Sequence, residues 1–376
     1  MRRKEAMLQT VGRETNQLAI QLRRSNERLN LWEKYYQKER LKSRPLEVSL
    51  PVGEQCNIRC VFCTDRDPKQ SPIRYAVIGL DEFLKFFGKL PLRTASDVTL
   101  YGWGEPLVHR DYERMFDYVA ATCPGVRIKI STNGLLFTEK WARKLLDHGK
   151  AHVNFSLNAA TPKTYLEITG ADQFEKVVDH IATLSRLRQQ FPGTQVTIAL
   201  SLVAMRSVLP EIPSFVMLAA ALGVDHVVVQ DLLLLNGHLR EEDTPQSNYY
   251  LATEVLQYAD RLSRLNGISL LVEVTGLYRL VLPGVWAWPT ASAVERQPLD
   301  WSHLVGDECF DPWTQFMVSS DGSVSTCCHA HSTIMGNIFR QSFDEIWNGE
   351  IYRYFRRTVN TDRPPLDCRK CPIKCR

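Results

Sequence analysis

Two periodicities alternate along this chain. Short β-branched and apolar runs over 46–50, 97–101, 126–131, 152–157, 196–203 and 225–230 read as strands. Between them, apolar residues return every three or four positions over 81–90, 110–121, 138–148, 173–190 and 210–222, the pattern of amphipathic helices. Six βα repeats in series predict an α/β fold, a partial (β/α)6 TIM-like barrel whose chemistry sits at the C-terminal ends of its strands. A helix over 249–266 and a strand over 269–274 close the series. Residues 276–307, rich in Pro, Trp and Gly, read as a linker or lid. After residue 308 come short strands over 315–318 and 323–326, a helix over 343–358 and a cysteine-rich tail. The predicted organisation is therefore a helical extension (1–45), a barrel (46–275), a lid (276–307) and a small C-terminal domain (308–376).

The N-terminal extension carries apolar residues at Leu8, Val11, Leu18, Leu22, Leu29, Trp32 and Tyr36, close to a heptad seam in which Thr15 and Ser25 are the weak positions. Arg23, Arg24, Arg28 and Lys34 lie off that seam. A helix packed on the body of the protein accounts for this pattern; a homodimer or partner contact through the same helix is the alternative.

With 376 residues, 44% of them hydrophobic, the chain can bury a large core, and a net charge of +4 with 23% charged residues does not point to nucleic acid or an anionic membrane. No apolar stretch approaches the roughly 20 residues of a membrane span, and the charged start, Met1 to Glu5, is no secretory signal. The expected location is the cytoplasm. There the ten cysteines would stay reduced, which favours metal binding or catalysis over disulfides. Cys123, alone between Ala121-Thr122 and Pro124-Gly125, reads as a structural thiol.

Cys56-Asn-Ile-Arg-Cys60-Val-Phe-Cys63 sets three thiolates on one loop after the first strand, and iron-sulfur clusters use closely spaced thiolates. Three ligands leave one iron open. Zinc would call for a fourth Cys or His nearby, and none stands between Asn57 and Leu107. Position by position, Cys56, Cys60, Phe62 and Cys63 resemble the Cys-x-x-x-Cys-x-aromatic-Cys signature of the radical S-adenosylmethionine (SAM) superfamily. The resemblance implies a 4Fe-4S cluster whose open iron binds SAM, Phe62 near the adenine, and reductive cleavage to a 5′-deoxyadenosyl radical that takes hydrogen from a substrate. A flavodoxin- or ferredoxin-type protein would donate the electron. No catalytic residue of the chain itself is assigned.

At the end of the second strand, Gly102-Trp103-Gly104-Glu105-Pro106 is similar to the family's Gly-Gly-Glu-Pro turn, with Trp103 replacing the first glycine. By that likeness Gly104, Glu105 and Pro106 contact the SAM amino group. Thr132 and Asn133 after the third strand, and Ser156 and Asn158 after the fourth, read equally as turn and cap residues or as the lining of the SAM and substrate pocket. Relatives often end the fourth strand with Asp. Asn158 stands there instead, and a neutral amide cannot serve as a general base.

The remaining cysteines, Cys309, Cys327, Cys328, Cys368, Cys371 and Cys375, gather after residue 308. Zinc competes here, given the Cys-x-x-Cys spacing and His329 and His331. The tail also resembles the SPASM and twitch domains of some radical SAM enzymes, through Cys309, the Gly322-x4-Cys327 hairpin, the Gly336-Asn337-Ile338 turn and the Phe343 to Trp347 helix. That implies a second, auxiliary 4Fe-4S cluster on Cys309, Cys327, Cys368 and Cys371, with Cys328 or Cys375 as substitutes or hydrogen donors. The leading expectation is modification of a small polar metabolite (a sugar, aminocyclitol or nucleoside) by dehydrogenation, epimerisation or decarboxylation. Peptide or protein maturation is the second. The third is a non-enzymatic zinc or iron-sulfur protein, with Arg353, Arg356, Arg357 and Arg363 as a nucleic-acid face, although that helix reads more simply as a solvated surface.

Overall fold

A computed structural model describes residues 2–63, 77–102, 104–234, 238–274, 308–327 and 333–371. The predicted lid over 276–307, Trp103, Cys328, Cys375, His329 and His331 lie outside them.

Among the described residues seven strands run parallel in chain order: β1 (Glu47–Leu50), β2 (Asp97–Leu100), β3 (Arg127–Thr132), β4 (Lys150–Ser156), β5 (Gln195–Val203), β6 (His226–Gln230) and β7 (Ser269–Glu273). The helices between them are α2 (Leu80–Phe87), α3 (Tyr112–Thr122), α4 (Glu139–His148), α5 (Pro162–Thr169), α6 (Phe174–Arg188), α7 (Ile212–Ala221) and α8 (Tyr249–Leu265). This is the expected partial barrel. On the other side of β1 the sheet continues: β8 (Gln315–Val318) pairs parallel to β1, Glu47 opposite Gln315, and β9 (Ser323–Ser325) and β10 (Gly336–Asn337) follow antiparallel. The C-terminal domain is thus built onto the barrel's edge.

The two faces of the sheet differ sharply. Val48, Val98, Ile128, Val153, Ile198 and Val227 are fully buried on the outer face under helices that contribute Phe83, Met115, Leu145, Val177, Phe215 and Leu256. The register puts the alternate residues on the inner face: Ser49, Thr99, Lys129, His152 and Thr197 in one row, Glu47 one pair nearer the strand starts opposite Asp97, and Ser131, Asn154 and Ser201 nearer the C-terminal ends. These polar groups bond across strands. Glu47 accepts from Thr99 Oγ1 at 2.6 Å and pairs with Lys129 at 2.8 Å, and His152 Nδ1 lies 2.9 Å from Thr197 Oγ1. Burial, with Lys129 nearby, pushes His152 down to about 3, so the ring is neutral.

The N-terminal helix α1 (Arg2–Tyr35) crosses the ends where the strands begin. Among its described side chains the buried ones are Ala19, Arg23, Asn26, Asn30 and Glu33, and four of these five are polar. Asn26 holds the backbone of Arg44 and Thr94, Asn30 donates to Ser43 Oγ and the Trp313 carbonyl, and Glu33 accepts from Lys42 and Ser43 amides. The helix does pack on the body, but the seam residues Leu18, Leu22, Trp32 and Tyr36 are exposed. Hydrogen bonds to chain ends that no strand satisfies, rather than apolar burial, select the docking face.

The segment between α1 and β1 binds the C-terminal domain. Trp313 Nε1 donates to the Lys38 carbonyl, Trp347 Nε1 to the Ser43 carbonyl, and Asn348 exchanges two bonds with Leu41. The predicted 343–358 helix is two, Phe343–Trp347 and Glu350–Thr358, broken at Gly349. Arg356 overturns the solvated-face reading of the second. It is buried, stacked 4.3 Å over Trp347 and bonded to the Pro312 and Glu39 carbonyls. Cys123 is buried at the end of α3, its thiol pushed up to about 11 by that burial. No described helix is long and apolar enough to cross a membrane.

Asn30→Ala removes both anchoring bonds from a fully buried position and leaves the Trp313 carbonyl unpaired. It is expected to cost about 2 kcal/mol in urea denaturation, and an unchanged midpoint would contradict this role. A second test concerns pH. Because His152 stays neutral in the folded state and titrates near 6.5 when unfolded, stability falls as pH drops below that value. Between pH 7 and 5 this residue alone accounts for about 2 kcal/mol, and His152→Gln should flatten the wild-type slope by that amount.

Candidate active site and cluster-binding residues

The cysteine loop leaves β1 at its C-terminal end and is held on three sides. Arg59 and Val61 amides donate to the Thr169 and Ile168 carbonyls at 3.1 and 2.9 Å, so the loop occupies carbonyls that the end of α5 leaves open. On a second side, Glu105 N donates to the Gln55 carbonyl at 2.8 Å. Gly104 makes this approach possible, since a methyl there would stand 2.5 Å from the Glu54 carbonyl carbon. The third contact is Asn133, whose Nδ2 reaches Asn57 Oδ1 at 2.7 Å and Cys56 Sγ at 3.8 Å.

Glu105 joins these contacts. Only 4% exposed, its carboxylate accepts from Thr132 Oγ1 at 2.7 Å, Asn133 N at 2.6 Å and Leu107 N at 3.1 Å. Burial pushes the carboxyl above its ordinary value, and these three bonds oppose the shift. A carboxylate offers about four lone-pair directions, so one is left for a ligand cation. Pro106 is buried as the first residue of the short turn Pro106–Val108 that Glu105 caps. Cys56 is exposed, Cys60 buried and Cys63 half-buried, with Cys63 and Glu105 close enough to act on the charge of Cys56. Phe62 is half-buried against the core.

The predicted residues after β4 are tied to β5 rather than to this loop. Asn158 takes a left-handed conformation, φ 62°, where its Oδ1 accepts from Val203 N at 3.2 Å and its Nδ2 donates to the Ser156 carbonyl at 3.0 Å. A carboxylate could not make the second bond, which explains the amide at this position. Ser156 Oγ accepts from Ser201 Oγ at 3.5 Å. Deeper in the barrel, Asn154 Nδ2 donates to both Ser131 Oγ and Ser201 Oγ, at 3.1 and 2.9 Å, while its buried Oδ1 has no partner.

Before the start of β8, Cys309 lies within electrostatic reach of both Cys327 and Cys371. Cys327 and Cys371 are buried; burial, then Asp311, raises the Cys309 thiol. Asn360 exchanges two bonds with the Cys309 backbone, and Cys371 N donates to the Cys368 carbonyl.

Comparison with known proteins gives this arrangement a family. Residues 50–200 match the radical SAM superfamily, and residues 309–372 match SPASM, an iron-sulfur cluster-binding domain. The chain is a radical SAM protein with a SPASM-type domain. It is 30% identical over 134 residues to GTP 3′,8-cyclase of Desulforamulus reducens, and likewise over 140 residues to that of Lactiplantibacillus plantarum. The first match spans 35% of this chain and 39% of the relative, the second 37% and 42%. In fold the chain resembles Streptococcus suis SuiB bound to its precursor peptide SuiA, with a TM-score of 0.63 at 16% identity over 93% of this chain and 74% of that one. It also resembles anSMEcpe with bound AdoMet, with a TM-score of 0.60 at 18% identity over 86% of each.

The cofactors of this family, 4Fe-4S clusters and SAM, suit the groups present. Asn133 Nδ2 beside Cys56 Sγ is the kind of donor that tunes a cluster sulfur. Among the described residues no three His, Cys, Asp or Glu side chains are set around a single ion. A cluster, with sulfides between its irons, holds its thiolates farther apart than mononuclear zinc does.

Sequence reasoning missed α5 and Asn154. The first had a signal. Thr161-Pro162 and Gly170 are a helix start and stop, and in the structure Thr161 Oγ1 accepts from Thr164 N while Gly170 is left-handed. Asn154 had none, because its role depends on the sheet's register.

Cys56→Ala is expected to remove about four of roughly eight irons from anaerobically reconstituted protein and leave the C-terminal cluster's EPR signal; loss of all iron would contradict independent sites. Gly104→Ala should keep its iron yet bind SAM at least about tenfold more weakly, since the added methyl displaces the loop backbone. Isothermal titration with SAM measures that loss.

Proposed function

We propose that this chain cleaves SAM reductively and removes hydrogen from a small hydroxyl- or amine-bearing metabolite, of the sugar, aminocyclitol or nucleoside class, bound inside the barrel. The observation that carries the reading is the inner face beneath the cysteine loop, where Asn154 presents a buried, unpartnered Oδ1 flanked by Ser131, Ser156 and Ser201. An acceptor of this kind loses free energy unless something donates to it, and a substrate hydroxyl or amine does so.

Cys56, Cys60 and Cys63 would hold the cluster that binds SAM, and Cys309, Cys327, Cys368 and Cys371 the auxiliary one. When bound, the first supplies the electron that splits SAM to methionine and the 5′-deoxyadenosyl radical. The chain's own residues position the reactants. Glu105 has one acceptor direction left for the SAM ammonium, and Asn133 orients the Cys56 thiolate. Phe62 shields the loop on the side of the core. Ser131, Asn154 and Ser201 orient the substrate. An electron donor of the flavodoxin or ferredoxin type completes the reaction.

The similarity to GTP 3′,8-cyclases supports a small-molecule substrate, but the inner face argues against a triphosphate. Lys129 and Arg127 are already paired, with Glu47 and Asp97, and Lys150 sits at the very start of β4, away from Asn154. Peptide maturation draws on the likeness to SuiB, which extends to the fold alone.

The test is anaerobic turnover with dithionite, SAM and a panel of polyols, aminocyclitols, nucleosides and peptides, following 5′-deoxyadenosine and deuterium transfer from labelled substrate. A member of the first three groups should turn over. Asn154→Leu should then raise KM by about tenfold or more while substrate-free SAM cleavage is unchanged. Turnover of peptides alone would refute the reading.

A further inference from the structure

Tyr165 lies on the side of α5 that carries the cysteine loop. Its ring is fully buried and meets Phe174 edge-on, with centroids 5.7 Å apart. Ile168 and Thr169, three and four residues further along and so on the same side of the helix, give their carbonyls to the Val61 and Arg59 amides. Those two bonds bracket Cys60, which is itself buried. Just beyond them the loop stays close, since a methyl on Gly170 would meet the Arg59 carbonyl at 3.9 Å.

The phenol oxygen is buried without a hydrogen-bond partner. The neighbouring Thr169 hydroxyl sends its proton to the Tyr165 carbonyl at 2.7 Å and accepts from the Ala171 amide at 3.2 Å. Glu105 is within electrostatic reach, but its carboxylate already accepts from Thr132, Asn133 and Leu107. Burial pushes the phenol up to about 12, with Thr169 opposing the shift and Cys60 adding to it, so the group keeps its proton at neutral pH. A buried hydroxyl without an acceptor costs free energy that a phenylalanine in its place would not. The acceptor left within reach is the sulfur of Cys60.

We propose that the Tyr165 hydroxyl donates a hydrogen bond to the Cys60 thiolate when Cys56, Cys60 and Cys63 hold the SAM-binding cluster, and so sets how readily that cluster is reduced. Tyr165 is a positioning residue that acts through Cys60. One-electron reduction adds negative charge to the cluster, and a donor aimed at one of its sulfurs stabilises the reduced form over the oxidised one. The inference rests on the assignment of that cluster to the three cysteines and is independent of the substrate.

Potentiometric titration of the full-length, cluster-loaded chain, followed by EPR, tests it. Tyr165→Phe should keep about eight irons and make reduction of the SAM-binding cluster about tenfold less favourable, a shift of about 59 mV to lower potential. The C-terminal cluster should titrate as in the wild type. Installing 3-fluorotyrosine at position 165, a stronger donor of nearly the same size, should move the first potential the opposite way. A potential that stays put in both variants, shifts of the same sign in the two, or an equal shift of both clusters would overturn the proposal. Retention of all iron by Cys56→Ala would refute the cluster assignment instead, which separates the two failures.

Discussion

The geometry of the site depends on one buried carboxylate. Glu105 ties the end of β2 to the end of β3 through Thr132 and Asn133. Asn133 then reaches back to Asn57 and Cys56, while the Glu105 amide binds Gln55. These bonds close a circuit through three separate chain segments. A loop with three thiols could adopt many shapes; this circuit leaves it few. Burying an ionisable carboxyl is costly unless its acceptors are filled, and three donors fill most of them. The vacancy that remains suits a cation.

The polar inner face follows from a second constraint. Each strand alternates, so an apolar outer face under the helices leaves every other residue pointing inward. A packed barrel fills that space with branched aliphatic side chains. Here Glu47 bonds Thr99 and Lys129, and His152 bonds Thr197, near the strand starts, whereas above them Asn154 keeps an open Oδ1. The lower row is satisfied internally and stiffens the scaffold. The upper row is not, and the substrate proposed above would donate to it.

Much of this was legible in the sequence because it rests on local pattern. The strands, most of the helices, the cysteine loop and the Gly104-Glu105-Pro106 turn all announce themselves within a few residues. What could not be read depends on partners distant in the chain. The docking face of α1 is polar because Asn26, Asn30 and Glu33 serve the backbone at 42–44, at Thr94 and at Trp313. Hydrophobic periodicity is blind to such bonds and selected the stripe that the fold leaves outside. Arg356 misleads for the same reason. An arginine on a charged helix reads as solvated until Trp347, Tyr352 and the Glu39 and Pro312 carbonyls are brought around it.

The pairing of β8 with β1 also sets where the two groups of thiols stand. Cys56 follows the C-terminal end of β1, while Cys309 precedes β8 and Cys327 follows the antiparallel β9, both at the opposite end. Four residues of strand, roughly 13 Å, separate those ends. Ser320, at the tip of the β8–β9 hairpin, reaches back to Glu54 beside the cysteine loop. Asp311, two residues from Cys309, is buried near Glu47 and Lys129 at the floor of the inner face. The polar interior is thus bounded by the first set of thiols above and approached by the second from below. Because one continuous sheet carries both, with Trp313, Trp347 and Asn348 clamped to the segment before β1, that separation is a property of the fold rather than of a hinge.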